Sequence, residues 1–132
     1  MKRVVLLLLP CLCLLSVATA PAQKKRQAPK DPCPGANSQY ELNQCAHKEF
    51  EAADAVLNRI YNQLASNLDE GARAKLKEAE LAWLKYRDAN CEFVSSEYEG
   101  GTMRPMVHSF CLADMTRART AELKGQLKEL EQ

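Results

Sequence analysis

Apolar residues recur through the middle of the chain with the spacing of an α-helix. From Ser38 to about Leu68 they fall three or four positions apart, on one narrow face. Ser38-x-x-Glu41 also has the form of a capping box, in which the hydroxyl and the carboxylate bind free amides of a first turn. The pattern predicts a first helix that begins near Ser38 and is broken by Asp69-Glu70-Gly71. Its apolar stripe consists of Ala46, Phe50, Ala53, Leu57, Ile60 and Leu64.

The same spacing predicts a second helix from about Ala72 to Val94. A loop is expected at Gly100-Gly101, because paired glycines cost too much backbone entropy inside a helix. A third helix is expected to begin between Thr102 and Pro105, since proline is tolerated in a first turn. The core-facing stripe of the second helix is predicted to be Leu76, Ala79, Trp83, Tyr86 and Phe93.

The third helix is less regular than the first two. Gly125 weakens its last part, so the chain is expected to fray or break there, with a short fourth helical piece as the alternative to one long helix. No segment alternates with period two for long enough to predict a strand. The predicted fold class is all-α, a three-to-four-helix bundle. The third stripe consists of Met106, Phe110, Ala113, Leu123, Leu127 and Leu130.

The N-terminal residues have the pattern of an export signal. Met1-Lys2-Arg3 precedes an apolar run that ends in small residues, and Ala20-x-Ala22 fits a cleavage site. The apolar run is too short to cross a membrane comfortably. Cys11 and Cys13 lie inside the run, which fits a lipoprotein anchor poorly. We therefore expect a periplasmic or secreted protein without a stable membrane anchor.

The predicted organisation has three parts. A signal peptide at 1–22 and a flexible basic leader at 23–32 precede one helical domain at 33–132. The whole chain has 18 Lys and Arg residues against 17 Asp and Glu residues, and loss of Lys2 and Arg3 with the signal would keep it close to neutral. This balance creates no strong field for nucleic acid, which is therefore not an expected partner.

Four cysteines remain after the predicted signal, and an even number in an exported chain indicates disulfides. Three pairings are possible. A helix–loop–helix brings Cys91 close to Cys111, and folding the leader back along the first helix joins Cys33 to Cys45, so these two bonds are favoured. A zinc site is disfavoured because no Cys-x-x-Cys pair is present. We expect neither a metal nor another cofactor.

Catalysis is not predicted. Only two histidines occur, and the sequence contains no nucleophile elbow, phosphate-binding loop or dinucleotide fingerprint. Paired acids such as Glu78 and Glu80 lack an apolar pocket that would shift their pKa. The protein is therefore not expected to be an enzyme.

Three sequence blocks stand out between Cys33 and Leu127. They are Ala53-Asp54-x-x-Leu57-Asn58-x-x-Tyr61, Ala82-Trp83-Leu84-x-Tyr86-Arg87-Asp88-Ala89-x-Cys91 and Glu99-Gly100-Gly101-Thr102-Met103. Together with the four cysteines, Arg117 and Leu123, these blocks resemble the LprI-type lysozyme-inhibitor family of small exported bacterial domains. Glu80 stands where glutamine is common and Thr102 where serine is common, and both departures are mild. The resemblance implies a helical exported domain and a role in blocking lysozyme.

One group of residues is predicted to be structural. Trp83 and Arg87 lie on one face of the second helix, because they are four positions apart. Arg87, followed by Asp88, is expected to stack on an aromatic ring and to bind a carboxylate, either Asp54 or Asp114. Asn58 and Tyr61 are expected to complete this network.

The segment from Gly100 to Met106 is the candidate binding loop. A Cys91–Cys111 bond would hold it in one conformation. A lysozyme active site is a groove with two working carboxylates, so Arg104 or His108 of a rigid loop could pair with them. Gly100 and Gly101 would allow the backbone to approach closely, and Thr102 and Met103 belong to the same predicted binding loop.

Two functions follow as hypotheses. The first is an exported binding module that inhibits lysozyme or a related glycan hydrolase through the loop. The alternative is a non-enzymatic cell-envelope protein that docks a protein partner, in which the loop is a plain interhelical turn.

Overall fold

A computed structural model describes residues 31–132, which form three α-helices joined by two short connections. The predicted signal peptide and all but the last two positions of the predicted leader lie outside the described residues. The helices are α1 (Gln39–Ser66), α2 (Glu70–Ser96) and α3 (Arg104–Leu130), and the described range contains no strand. The all-α prediction is confirmed.

The starts of α1 and α2 are capped by side chains. The Ser38 hydroxyl accepts a hydrogen bond from the Glu41 amide at 3.2 Å, and the Glu41 carboxylate accepts one from the Asn37 amide at 2.6 Å. Asp69 caps α2 by accepting from the Ala72 amide at 2.8 Å. Each carboxylate and hydroxyl replaces a partner that the first turn of a helix lacks.

The break between α1 and α2 is narrower than predicted. Glu70 and Gly71 belong to α2, because Asp69 alone provides the cap that restarts the helix. The turn is also fastened by Arg73, whose guanidinium donates to the carbonyl of Ala65 at 3.0 Å and to that of Leu68 at 2.9 Å. These bonds use carbonyls that the end of α1 leaves without a helical partner.

Helices α1 and α3 run parallel, with α2 antiparallel to both. The Asn43 side chain near the start of α1 binds the carbonyl of Thr102, which lies just before α3. Leu64 near the end of α1 packs with Leu123 near the end of α3. Helix α3 packs on both other helices, and more extensively on α1. Small buried side chains let these two backbones approach closely, as expected for Ala46 and Ala53 of α1 and Ala113 of α3.

The apolar core lies between α1 and α3 toward the end at which α1 joins α2. Four fully or almost fully buried side chains form it, each stabilising the fold by roughly 1.5–3 kcal/mol through burial. They are Leu57, Ile60, Leu64 and Leu123. The predicted stripe of α1 is buried at every position except Phe50, which is half-buried.

The predicted stripe of α2 is wrong at three of its five positions, whereas Leu76 and Trp83 are half-buried and pack against the core. Tyr86 is 61% exposed and Phe93 is 75% exposed, and Ala79 is also exposed. The buried positions of α2 are Glu80, Arg87, Cys91 and Ser95. Ion pairs and a disulfide hold this polar face inward. Several of the regularly spaced apolar residues of α2 therefore lie on its outer face.

Helix α3 continues without a break through Gly125 to Leu130, so the expected short fourth piece does not occur in the described range. One helical glycine costs only about 1 kcal/mol relative to alanine. Leu123 is fully buried on one side of Gly125, and Leu127 packs against the core on the other. Packing of these two leucines offsets the cost of the glycine.

Both favoured disulfides are present. Cys33 and Cys45 are joined with their Cα atoms 5.9 Å apart, and Cys91 and Cys111 with theirs 5.5 Å apart. The first bond ties the segment before α1 to the second turn of that helix. The second bond ties α2 to α3 close to the loop between them. Both pairing predictions are confirmed.

Candidate functional site

The connection from Glu97 to Met103 forms a tight loop at one end of the bundle. Gly100 has a φ of +75°, a conformation that costs little only for glycine. A Cβ atom at Gly101 would lie 3.1 Å from the carbonyl oxygen of Tyr98, which accepts a hydrogen bond from the Gly101 amide at 2.9 Å. Glycine is therefore favoured at position 100 by the backbone conformation and at position 101 by the tight approach of the Tyr98 carbonyl.

A disulfide and a hydrogen bond hold the loop in place. The Cys91–Cys111 bond joins the helices that flank it. The Asn43 side chain of α1 donates a hydrogen bond to the Thr102 carbonyl at 3.1 Å. The loop is thus connected to all three helices, which reduces the entropy that it would lose on meeting a partner.

Arg104 and His108 lie in the first turns of α3, where they face carboxylates of the same chain. The guanidinium of Arg104 forms ion pairs with Glu92 and, through Nε at 2.9 Å, with Glu99. Nε2 of His108 lies 3.8 Å from the Glu92 carboxylate. The sequence prediction placed both cations at the loop but missed the two glutamates. Glu92 follows Cys91 directly, so a Cys91–Cys111 bond indicates its position opposite α3.

The remaining loop residues are open to solvent. Gly100, Gly101 and Thr102 are exposed, and the Met103 side chain is 42% exposed. The structure therefore brings all six predicted loop-site residues to one end of the bundle. Four of them form an exposed tip, and the two cations lie at its base.

Arg87, itself almost completely buried, is the centre of a second cluster. Its guanidinium lies 3.3 Å from Asp54, 2.9 Å from Asp88 and 3.2 Å from the Thr116 hydroxyl. Its Cζ atom is 5.2 Å from the ring centroid of Phe50 and 5.4 Å from that of Trp83, within the range of cation–π contact.

Of the two carboxylates proposed for Arg87, only Asp54 contacts it. Asp114 instead lies 3.1 Å from Arg117, which also binds Glu49. Asn58 joins the network by donating to Asp54 at 2.9 Å. Tyr61 packs against the apolar core. Residues of α1, α2 and α3 all contribute to the cluster around Arg87.

A second arginine, Arg119 of α3, neighbours the same tryptophan. Its Cζ atom lies 5.8 Å from the Trp83 ring, and its guanidinium is 3.0 Å from both Glu80 and Glu122. Burial alone would lower the pKa of Arg119, but hydrogen bonds and charges from Glu122 and Glu80 outweigh burial and raise it. The side chain of Arg119 therefore stays charged. Its ion pair with the buried Glu80 fixes α2 against α3.

Two observations concern metals and membranes. No three His, Cys, Asp or Glu side chains converge as a metal site in residues 31–132. No helix of the same range is long and apolar enough to cross a membrane.

The loop, the four cysteines and the arginine cluster all lie in a region that a known family shares. A family model described as lysozyme inhibitor LprI matches residues 30–123. The chain belongs to the LprI family. This membership confirms the resemblance, and the family's description is that of an inhibitor and not of an enzyme.

A relative of similar length is found in a bacterium. An uncharacterized protein of Rhizobium meliloti (strain 1021) is 42% identical over 135 residues, which cover 92% of this chain and 96% of the relative. No solved structure matches the chain. The family description is therefore what the comparisons contribute on function.

Proposed function

We propose that this protein is an exported inhibitor that binds lysozyme, or a related glycan hydrolase, with the loop from Glu97 to Met103. The supporting observation is that this loop is exposed at its tip and yet fastened to the bundle. The Cys91–Cys111 bond and the hydrogen bond from Asn43 to Thr102 fasten it. Membership of a family described as lysozyme inhibitors supports the same function.

The tip has the shape and chemistry that a narrow groove requires. Gly100 and Gly101 have no side chains and allow the backbone to approach closely. Thr102 offers a hydroxyl, and Met103 offers an adaptable apolar side chain that is 42% exposed. Together they could enter a groove that normally holds a sugar chain.

The cations at the base of the loop would contribute charge. The working residues of a lysozyme groove are two carboxylates. Arg104 is held by Glu92 and Glu99, so a partner's carboxylate would compete with these two for its guanidinium. The intrachain ion pairs would keep Arg104 positioned at the base of the loop before the partner arrives.

Export is part of the proposal. Disulfides persist outside the reducing cytoplasm, and this chain has two in residues 31–132. The signal-like N-terminus gives the route. A periplasmic or secreted location would bring the loop to enzymes that attack the cell wall.

The direct test is a turbidity assay of lysozyme activity on bacterial cells, with purified oxidised protein added. We expect micromolar protein to slow the loss of turbidity. Met103→Glu should abolish this effect, because it places a negative charge against the carboxylates of the groove. The matched control is Leu130→Glu, since Leu130 is 52% exposed at the opposite end of α3 and should not affect inhibition.

Two outcomes would count against the proposal in different ways. If no animal or phage lysozyme is slowed by a micromolar excess, lysozyme inhibition is rejected. If the protein inhibits and Met103→Glu inhibits equally well, inhibition stands and the loop is rejected as its site. Capture of one stoichiometric envelope protein, without lysozyme, would favour the docking alternative.

A further inference from the structure

Helix α2 carries a row of apolar side chains on the face that points away from the core. We call this row the outer stripe, and it consists of Ala82, Tyr86, Ala89 and Phe93, all exposed. Residues spaced by four, three and four positions lie along one line of a helix. Single exposed apolar residues are ordinary, but a continuous row of them indicates an interaction surface.

The residues of the outer stripe are spaced symmetrically along the helix on either side of a point between Arg87 and Asp88. Ala82 and Phe93 are equally far from that point, and so are Tyr86 and Ala89. A second α2 placed antiparallel, with a two-fold axis at that point, would set every large side chain against a small one. Phe93 of one copy would face Ala82 of the other, and Tyr86 would face Ala89.

Two other exposed apolar residues of α2, Leu81 and Val94, lie about 110° around the helix from the outer stripe and are not part of it. The four residues of the outer stripe are by themselves symmetric about its midpoint. An interface with a two-fold axis uses one surface twice, so a self-complementary pattern of this kind is what it requires.

Charge selects the antiparallel direction. From Arg73 to Lys85 the exposed charged residues of α2 are basic except for Glu78, and they include Lys75 and Lys77. The last part of the helix and the start of the loop are acidic, with Asp88, Glu92, Glu97 and Glu99. An antiparallel pair sets this predominantly basic segment of each helix against the acidic segment of the other, whereas a parallel pair would set like charges together.

We propose that the outer stripe of α2 binds a second copy of this chain, in an antiparallel arrangement about a two-fold axis between Arg87 and Asp88. Lys85 and Glu92 lie on the same edge of the stripe. Lys85 of each copy would therefore pair with Glu92 of the other copy. Glu97 lies about 14 Å along the helix from the axis at 1.5 Å per residue. The two loops would therefore point to opposite ends of the dimer and remain free.

The first experiment measures association of the purified oxidised protein by sedimentation velocity over a wide concentration range. We expect a monomer–dimer equilibrium. Phe93→Glu should raise the dimer dissociation constant at least about a hundredfold, because it buries two unpaired charges at the interface. Tyr40→Glu is the matched control, since Tyr40 is 71% exposed on α1, away from the stripe. Circular dichroism should show that both variants keep the native helix content.

The second experiment tests the direction of pairing. Equal amounts of ¹⁴N- and ¹⁵N-labelled protein are mixed and treated with a carbodiimide, which joins a lysine directly to a carboxylate. We expect isotopically mixed peptides in which Lys85 is joined to Glu92. Such mixed peptides form only between two copies.

Three results would overturn the proposal. One is a monomer at every concentration up to the millimolar range. Another is a dimer that Phe93→Glu leaves intact. The third is a set of mixed cross-links that maps to another face of the protein or to parallel helices. Each of these results leaves the proposal on the loop unaffected, because the exposed loop tip from Gly100 to Met103 is not part of the outer stripe.

Discussion

The guanidinium of Arg87 in α2 reaches the carboxylate of Asp54 in α1, with 3.3 Å between Nη1 and Oδ1. The backbones of α1 and α2 approach each other much less closely than each approaches α3. Arg87 therefore fills the space between them, between the rings of Phe50 and Trp83. One buried cation connects two helices that have little direct contact.

Replacing Arg87 should destabilise the whole bundle. We expect Arg87→Ala to lower the free energy of unfolding by about 3 kcal/mol, because it removes a buried stem, two ring contacts and the partner of Asp54. Arg87→Lys should cost less but remain measurable, since an ammonium cannot bind Asp54, Asp88 and Thr116 together. Urea denaturation followed by circular dichroism measures both.

Arg59 provides the control for this series. It is an exposed arginine of α1, and its replacement by alanine should change the free energy of unfolding by no more than about 0.5 kcal/mol. Equal losses for Arg87→Ala and Arg59→Ala would show that the buried cluster contributes nothing specific.

The two disulfides should contribute similarly to stability but differently to function. Removing either one, as Cys33→Ala with Cys45→Ala or as Cys91→Ala with Cys111→Ala, should lower the free energy of unfolding by about 3 kcal/mol. Only loss of the Cys91–Cys111 bond should strongly weaken inhibition, because this bond joins the two helices that flank the loop. Inhibition is measured well below both melting temperatures. A similar loss of inhibition in both double variants would argue against the loop.

Replacing Gly125 or Gly100 by alanine should change the stability of the protein in opposite directions. Gly125 lies inside α3 with open space where a methyl group would project, so Gly125→Ala should stabilise the protein by about 0.5–1 kcal/mol. Gly100 has a φ of +75°, so Gly100→Ala should destabilise it by about 1 kcal/mol although nothing would contact the added methyl group. Thermal unfolding of the two variants checks the signs, and a loss of stability in Gly125→Ala would contradict an intact helix there.

Glu99 and Arg104 distinguish a binding role for the arginine from a structural one. If a partner's carboxylates compete for Arg104, Glu99→Gln should strengthen inhibition by about threefold, because it removes one of the two intrachain carboxylates. Arg104→Ala should weaken inhibition by about tenfold. If Arg104 only fastens the loop, both variants should weaken inhibition. Inhibition constants from the turbidity assay decide between these roles.

Much of the fold was accessible from the sequence because its signals are local. The helix cap at Ser38 and the glycine pair at the loop depend only on neighbouring residues, and both occur where predicted. The stripe of α1 was also predicted correctly, because no charged residue of α1 is buried in place of its apolar residues. Helix–loop–helix geometry favoured the Cys91–Cys111 bond, and folding of the leader back along α1 favoured the Cys33–Cys45 bond; both bonds are present.

The sequence predicted the aromatic and carboxylate contacts of Arg87, but only the tertiary structure decided which other residues of α2 are buried with it. The periodicity of Tyr86 and Phe93 pointed inward, but both are exposed, and Glu80 and Arg87 are buried in their place. A charged side chain can be buried only when partners on other helices satisfy it, here Arg119 for Glu80 and Asp54 for Arg87. No hydrophobic pattern within one helix contains that information, because the energy that turns this face of α2 inward comes from residues far away in the sequence.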